Sequence, residues 1–132
     1  MTLGSDRGDA ILELAIVAPV LMLLIVGLLQ FGLWHHAKNV VETAAMEGAR
    51  EAAADGATAA DGISRSTEVL SAGLGSAIRD PAVRVDKGTE LTLVEIEAEM
   101  PGLLPIPGLS SIVIRSASSS LTERFRPTEA AS

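Results

Sequence analysis

The chain begins with one long apolar segment, and charged residues become frequent only after it. No charged residue occurs between Leu14 and Trp34, a run of 21 residues. As a helix this run would be about 31 Å long at ~1.5 Å per residue, which matches the ~30 Å hydrocarbon core of a bilayer. We therefore predict a short cytoplasmic leader over residues 1–8 and a transmembrane helix over residues 9–34.

The composition of this run favours insertion into a membrane. Thirteen of its residues are Leu, Ile, Val or Phe, and each contributes roughly −0.3 to −0.6 kcal/mol, or about −4 to −8 kcal/mol together. Glu13 lies at the edge of the run, where an acid costs less than the ~2.5–3.5 kcal/mol of a central one. The apolar core of a cleavable secretory signal is usually ~7–15 residues long. The longer run therefore favours a retained anchor.

The helical pattern continues beyond the span to about Ala54, where Asp55-Gly56 ends it. Small and apolar residues recur there at helical spacing on one face: Val41, Ala44, Ala45, Gly48, Ala49 and Ala52. Such a stripe allows two helix backbones to approach closely. It fits two interpretations, a helix that packs on the head of its own chain and a helix that forms a seam between subunits.

A second helix is predicted over residues 58–79. Thr58 is a candidate N-cap with Asp61 three residues later, and Asp80-Pro81 ends the helix. Its apolar face is predicted from residues at helical spacing: Ile63, Ser66, Val69 or Leu70, Leu74, and Ala77 or Ile78.

After Pro81 the pattern changes to the two-residue period of β-strands. Residues 82–86 and 89–100 are predicted to form a hairpin around the turn Asp86-Lys87-Gly88. A Pro/Gly-rich loop over residues 101–108 leads to a third strand, Ile112–Leu121, and we expect a disordered tail from about Arg126. Alternation places Val94, Ile96, Ala98 and Met100 on one face of the second strand, and Glu95, Glu97 and Glu99 on the other.

These elements predict an α+β fold. Three short strands alone are marginally stable, so their apolar face needs a cover. The helix over residues 58–79 is the available cover. Residues 35–132 are therefore predicted to form a head in which that helix backs a three-stranded antiparallel sheet.

Charge and composition restrict the function of this head. Residues 35–132 carry 9 basic and 14 acidic side chains, and the whole chain has one Trp and two Phe. An acidic surface with few aromatic residues is unsuited to nucleic acid, so we expect no nucleic-acid partner. The absence of Cys from the sequence excludes Cys-ligated metal sites.

The sequence also offers no constellation for catalysis. His35 and His36 are adjacent and do not face one another on a helix, so we do not expect them to bind a metal. The acidic row on the second strand is interpreted as a solvated face. With no nucleophile, base and acid in a recognisable arrangement, we expect no enzyme activity, no cofactor and no metal.

Glu13 is the most informative single residue. It could be an acid that snorkels or stays protonated at the membrane edge, or it could pair with a positive group in a membrane-embedded assembly. Gly8 lies five residues before it. Cleavage after Gly8 would create an α-amine on Asp9, one helical turn or about 6 Å from Glu13.

The spacing of Gly8 and Glu13 resembles a type IV prepilin cleavage motif. The wider segment RGDAILELAIVAPVLMLLIVGLLQFG, with Pro19 six residues after Glu13, is similar to the TadE-like family of Flp/Tad pilus assembly proteins. Met46-Glu47-Gly48-Ala49-Arg50 resembles the Glu-Gly-Ala-Arg segment of that family. The resemblance covers residues 7–54 densely.

The resemblance implies a minor pseudopilin that crosses the membrane once and is cleaved after Gly8 by a prepilin peptidase at the cytoplasmic face. It places the N-terminus in the cytoplasm and the head outside, which the Lys and Arg counts near the span do not decide. Its implied partners are the lipid bilayer, other pilin-like subunits, the pilus assembly platform and a possible prepilin peptidase. An alternative function is a membrane-tethered extracytoplasmic binding or sensor module unrelated to pili.

Several further positions in this helix are candidates for assembly. Pro19 is predicted to kink the span, because its ring removes a backbone hydrogen bond of the helix. Proline is tolerated in membrane helices. Gly27 and Gly32 are either contact points for a neighbouring helix or harmless lipid-facing positions. Ala45, Gly48 and Ala49 are the candidate packing residues after the span, and Trp34 is expected at the outer membrane interface.

Overall fold

The computed structural model describes residues 5–103, 108 and 110–123. Its elements are helix α1 (Ser5–Ala53), helix α2 (Ala59–Leu74), a 3-10 turn (Gly75–Ala77), and strands β1 (Arg79–Lys87), β2 (Leu91–Pro101) and β3 (Ser111–Leu121). The strands form an antiparallel sheet in the order β1-β2-β3. The predicted α+β fold is confirmed. The predicted disordered tail lies outside the described residues, as does most of the predicted loop before β3.

The chain forms two compact units, Met1–Leu33 and Trp34–Ser132. In the second unit, residues 34–53 of α1 pack with α2 and the inner face of the sheet around one hydrophobic core. The core residues come from both helices, from β2 and β3, and from the segment before β1: Ala37, Val41, Ala44, Ala45, Ala49, Leu70, Leu74, Ile78, Val94, Ile96, Ala98, Met100 and Ile114. The helical side of this core consists largely of alanine.

The two helices meet at a pair of glycines. A Cβ atom added to Gly48 would lie 2.9 Å from the carbonyl oxygen of Gly62, and one added to Gly62 would lie 2.8 Å from the carbonyl oxygen of Gly48. Real Cβ atoms do not approach backbone oxygens this closely, so both positions need glycine. The fully buried Ser66 hydroxyl donates a hydrogen bond of 3.0 Å to the Ala44 carbonyl oxygen beside this contact. Backbone proximity therefore fixes the distance between α1 and α2.

The C-terminal end of α1 is held by groups from the sheet. The chain turns at Gly56, whose φ of 77° is accessible to glycine. The Lys87 ammonium donates hydrogen bonds to the carbonyl oxygens of Ala54 (3.4 Å) and Ala57 (2.5 Å), and the Glu123 backbone N–H donates to Ala53 (2.8 Å). The bonds to Ala53 and Ala54 satisfy carbonyl groups that the end of a helix leaves free. The positive charge also complements the helix dipole.

The start of α2 has the predicted cap. The Thr58 hydroxyl accepts a hydrogen bond from the Asp61 backbone N–H, and the Asp61 carboxylate accepts one from the Thr58 backbone N–H at 2.7 Å. This reciprocal pair is a capping box, as the sequence predicts. Hydrogen bonds from the Thr58 side chain and backbone stabilise the carboxylate and lower the pKa of Asp61.

The predicted end of the second helix was wrong. α2 stops at Leu74, five residues before the expected position, and the chain passes through Gly75 with a φ of 50°. Asp80 and Pro81 do not stop a helix but lie inside β1, where the register with β2 shifts between Arg79 and Ala82. Proline is tolerated here because β1 is an edge strand and needs no amide hydrogen on its outer side.

Two predictions about the core also need correction. Ile63, assigned to the apolar face of the second helix, is 39% exposed, and Gly62 is buried in its place because the helix crossing brings Gly62 toward α1. The second helix is also not the only cover for the sheet. α1 contributes five core residues of its own, so both helices form the layer that covers the strands.

The strands follow the predicted alternation. Val94, Ile96, Ala98 and Met100 are buried on one face of β2, and the three glutamates between them are exposed. The hairpin turn lies slightly later than predicted, because Asp86 and Lys87 belong to β1 and Thr89 precedes β2. The Gly88 N–H donates a 2.9 Å hydrogen bond to the Leu91 carbonyl oxygen and closes the turn.

We expect Gly48→Ala to destabilise the head by about 1–3 kcal/mol, the usual cost of overpacking a tight contact. The added methyl group would collide with Ser66 and with the Gly62 backbone. Thermal unfolding of the detergent-solubilised protein, followed by circular dichroism, measures the effect. Gly27→Ala is a matched control on the same helix, because nothing lies within 4 Å of its new Cβ atom. Equal melting temperatures for the two variants would contradict the glycine contact.

Candidate membrane-anchoring and assembly site

The first part of α1 carries a continuous apolar surface. In the part of the chain that the structure describes, the helix Ala10–Ala53 is long and apolar enough to cross a membrane, and none of its most apolar window is buried. Large apolar side chains are exposed throughout residues 11–33. The exposed fraction is 70% for Ile11, 74% for Leu28 and 48% for Leu33. Soluble monomers rarely expose an apolar surface of this extent. This helix is a candidate single-pass membrane anchor.

The candidate cleavage and pairing residues lie at the start of this helix. Gly8 and Asp9 lie in the first two turns of α1, and Glu13 lies one turn after Asp9. Gly8 and Glu13 are exposed. Among the side chains that the structure describes, none forms an ion pair with Glu13. Glu13 lies at the edge of the apolar surface.

The predicted contact positions in the span are also accessible. α1 continues through Pro19, which is exposed, and the predicted kink stays a prediction. Gly27 and Gly32 are exposed, and a Cβ atom on either would meet nothing within 4 Å. A neighbouring helix backbone could approach closely at both positions.

The small residues after the span are used differently. Ala45 is fully buried and Ala49 nearly so, both in the core of the head, and Gly48 contacts α2. Of the two interpretations that the sequence left open, the structure displays packing within the chain. Glu47, beside them, forms an ion pair of 3.3 Å with Arg65 of α2 and one of 3.8 Å with Arg50 of its own helix. Glu47 and Gly48 of this segment therefore contact α2.

Aromatic and basic groups lie at the junction between span and head. The Lys38 ammonium is 5.6 Å from the centre of the Trp34 ring, a cation–π distance, and 3.8 Å from Glu42. His35 and His36 are exposed, and the Asn39 amide is 3.2 Å from the His35 ring. No group of three potential metal-ligating side chains occurs among the described residues.

The outer face of the sheet carries paired charges. Arg115 of β3 makes two contacts with the Glu97 carboxylate of β2, at 3.1 and 3.2 Å. The Arg115 guanidinium is the main cause of the lowered pKa of Glu97, with a smaller contribution from Arg84. The sequence predicted a solvated acidic row but not this cross-strand partner.

Three residues that hold the head together were not predicted from the sequence. Gly62 was not distinguished from other glycines, Lys87 was assigned to a turn, and Arg65 gave no signal at all. Helical spacing could have indicated Gly62, because it lies four residues before Ser66 on the predicted inner face. The roles of Lys87 and Arg65 depend on contacts 18 or more residues apart and leave no local pattern.

Comparison with known proteins supports the predicted resemblance. The profile of the family described as TadE-like protein matches residues 8–50. The match begins at Gly8, includes Glu13 and the whole apolar run, and ends at Arg50. It confirms the predicted resemblance over this segment, which is about a third of the chain. No curated protein and no solved structure matches the chain significantly.

The insertion free energy predicts how many charges the span can tolerate. A central arginine costs ~2.5–3.5 kcal/mol of insertion free energy, against an estimated gain of about 4–8 kcal/mol from the apolar residues. One arginine therefore leaves insertion favourable, whereas two arginines cancel the gain. We expect Leu24→Arg to remain in the membrane fraction and the double variant Leu21→Arg, Leu28→Arg to leave it largely. Alkaline extraction of membranes measures the distribution. The same double substitution to alanine is the control, and retention of the double arginine variant would contradict a membrane span.

Proposed function

We propose that this chain is a membrane-anchored, minor pseudopilin-like component of Tad/Flp-type pilus assembly or secretion machinery and that its role is not catalytic. The observation that supports this function best is the extent of the family match. It starts at Gly8, the residue before the proposed cleavage, and continues through Glu13 and the apolar helix. The residues that we propose for cleavage, anchoring and pairing therefore fall within the matched segment.

In this proposal the apolar part of α1 holds the subunit in the bilayer and packs beside other pilin-like helices. The N-terminus lies in the cytoplasm and the head lies outside. Lateral packing uses close approach at Gly27 and Gly32, where an incoming backbone meets no side chain. Van der Waals contact between helices is the main attraction there, because lipid removes the hydrophobic driving force.

Glu13 sets the position of the subunit along its neighbours. A prepilin peptidase cuts the Gly8–Asp9 bond and leaves a positive α-amine on Asp9, one helical turn from Glu13. An amine and a carboxylate at the edge of a bilayer attract more strongly than in water because the local dielectric constant is lower. The carboxylate neutralises the amine of its own chain or of a neighbouring subunit. Pairing with a neighbour fixes the axial register between the two helices.

The head supplies contacts with other subunits. Its core is closed by α1 and α2 within the chain, which leaves the outer face of the sheet and the outer faces of the helices for partners. Glu97 and Arg115 neutralise one another on the sheet face. This charge pairing suits a surface that binds protein.

We expect the mature chain to begin at Asp9. Mass spectrometry of the N-terminal peptide, from protein extracted from membranes of cells with an active prepilin peptidase, identifies the terminus. Cells that lack the peptidase provide the control, in which the leader should stay attached. An intact Met1 or Thr2 terminus in the presence of active peptidase would overturn the cleavage, although it would leave the anchor unaffected.

We expect Glu13→Gln to insert normally but to assemble poorly. Losing a charged partner costs about 1.5–3 kcal/mol, which corresponds to roughly tenfold weaker association or more. The measurement is the amount of chain that copurifies with the pilus assembly platform after mild detergent extraction. Glu51→Gln, an exposed acid on the same helix, is the matched control. Undiminished copurification of Glu13→Gln would favour a membrane-tethered binding or sensor module.

A further inference from the structure

Three leucines interrupt the polar outer face of the sheet. Leu91 of β2 and Leu121 of β3 lie directly opposite one another in register, and Leu93 follows on the same face of β2. Leu91 is 49% exposed, Leu121 is 76% exposed, and Leu93 is half-buried. Thr92, between Leu91 and Leu93, is fully buried on the opposite face. We call Leu91, Leu93 and Leu121 the leucine patch.

Acidic residues lie beside the leucine patch, one by strand register and two by sequence. Asp86 of β1 pairs in register with Leu93, Glu90 immediately precedes Leu91, and Glu123 lies two residues after Leu121. The nearest base in sequence, Lys87, is engaged on the other side of the sheet with the carbonyl groups of Ala54 and Ala57. The base on the same face of β1, Arg84, lies in register with the acid Glu95. The patch therefore combines an apolar centre with a negative rim.

The charge of the patch argues against lipid as its occupant. Anionic headgroups would repel the acidic rim.

A second copy of the chain is an equally poor occupant. Joining two leucine patches face to face would bring two acidic rims together, and like charges across an interface are unfavourable. The chemistry instead requires opposite charge around an apolar centre. We propose that the leucine patch binds another protein through an apolar segment flanked by Lys or Arg. The leucine patch lies on the head, and this interface does not depend on the proposed pilus function.

Photo-crosslinking tests this interface in the full-length protein. A benzophenone amino acid replaces Leu121 in native membranes, and mass spectrometry identifies the crosslinked peptide. We expect an adduct with a different protein, through a peptide that carries Lys or Arg within a few residues of apolar side chains. The same probe at Val113, 50% exposed on the same strand and face but outside the patch, is the control and should give little of this adduct.

The charge of the rim provides the second measurement. Salt screens exposed charges. With the acidic rim unchanged, we therefore expect the yield of the crosslinked adduct to fall severalfold when the ionic strength is raised from about 0.05 M to 0.5 M. The triple change Asp86→Asn, Glu90→Gln, Glu123→Gln should reduce it about tenfold at low salt. An adduct with lipid, with a second copy or with residues 124–132 of the same chain would overturn the proposal. So would the absence of an adduct, or a yield that does not respond to salt.

Discussion

The head depends on the close approach of two backbones at Gly48 and Gly62. This contact sets the separation of α1 and α2, and at that separation the Ser66 hydroxyl can reach a carbonyl group of the opposite helix. Closely spaced helices leave little volume between them, which alanine fills. The larger side chains of the core, such as Ile96 and Leu70, then occupy the space between the helical layer and the sheet. A bulkier residue at either glycine would disturb the helix separation, the Ser66 hydrogen bond and the packing of the larger core side chains.

Helix α1 meets two different environments, and its composition changes accordingly. Before Trp34 its exposed surface consists of Leu, Ile, Val and Phe, which suit contact with lipid because each large apolar side chain favours insertion. Between Ala37 and Ala53 the buried positions are mainly Ala and Gly, which suit contact with another helix and a sheet. The Glu47–Arg50 segment thus gains a physical explanation as the part of α1 that contacts α2, through Glu47 and Gly48.

Local patterns predicted the elements whose stability is local. The apolar run, the capping box at Thr58 and the alternation of β2 each follow from neighbouring residues, and each appears in the structure. The failures occurred where tertiary context decides. Pro81 is compatible with a strand only because β1 lies at the sheet edge, and Ile63 is exposed because the glycine crossing rotates Gly62 inward. The sequence singled out Gly8 and Glu13 by their spacing, but a contact between subunits leaves no pattern within one chain.

The long helix also has a consequence for the order in which the protein forms. Residues 37–53 leave the ribosome well before β2, the strand that covers them, because more than 35 residues separate Ala53 from Leu91. Until β2 arrives, the inner face of this helix has no sheet to bury it. Alanine and glycine expose far less apolar area than leucine or isoleucine. Before β2 is synthesised, this part of the helix therefore offers little apolar surface for aggregation. The small side chains that permit tight packing in the finished head therefore also protect the nascent chain.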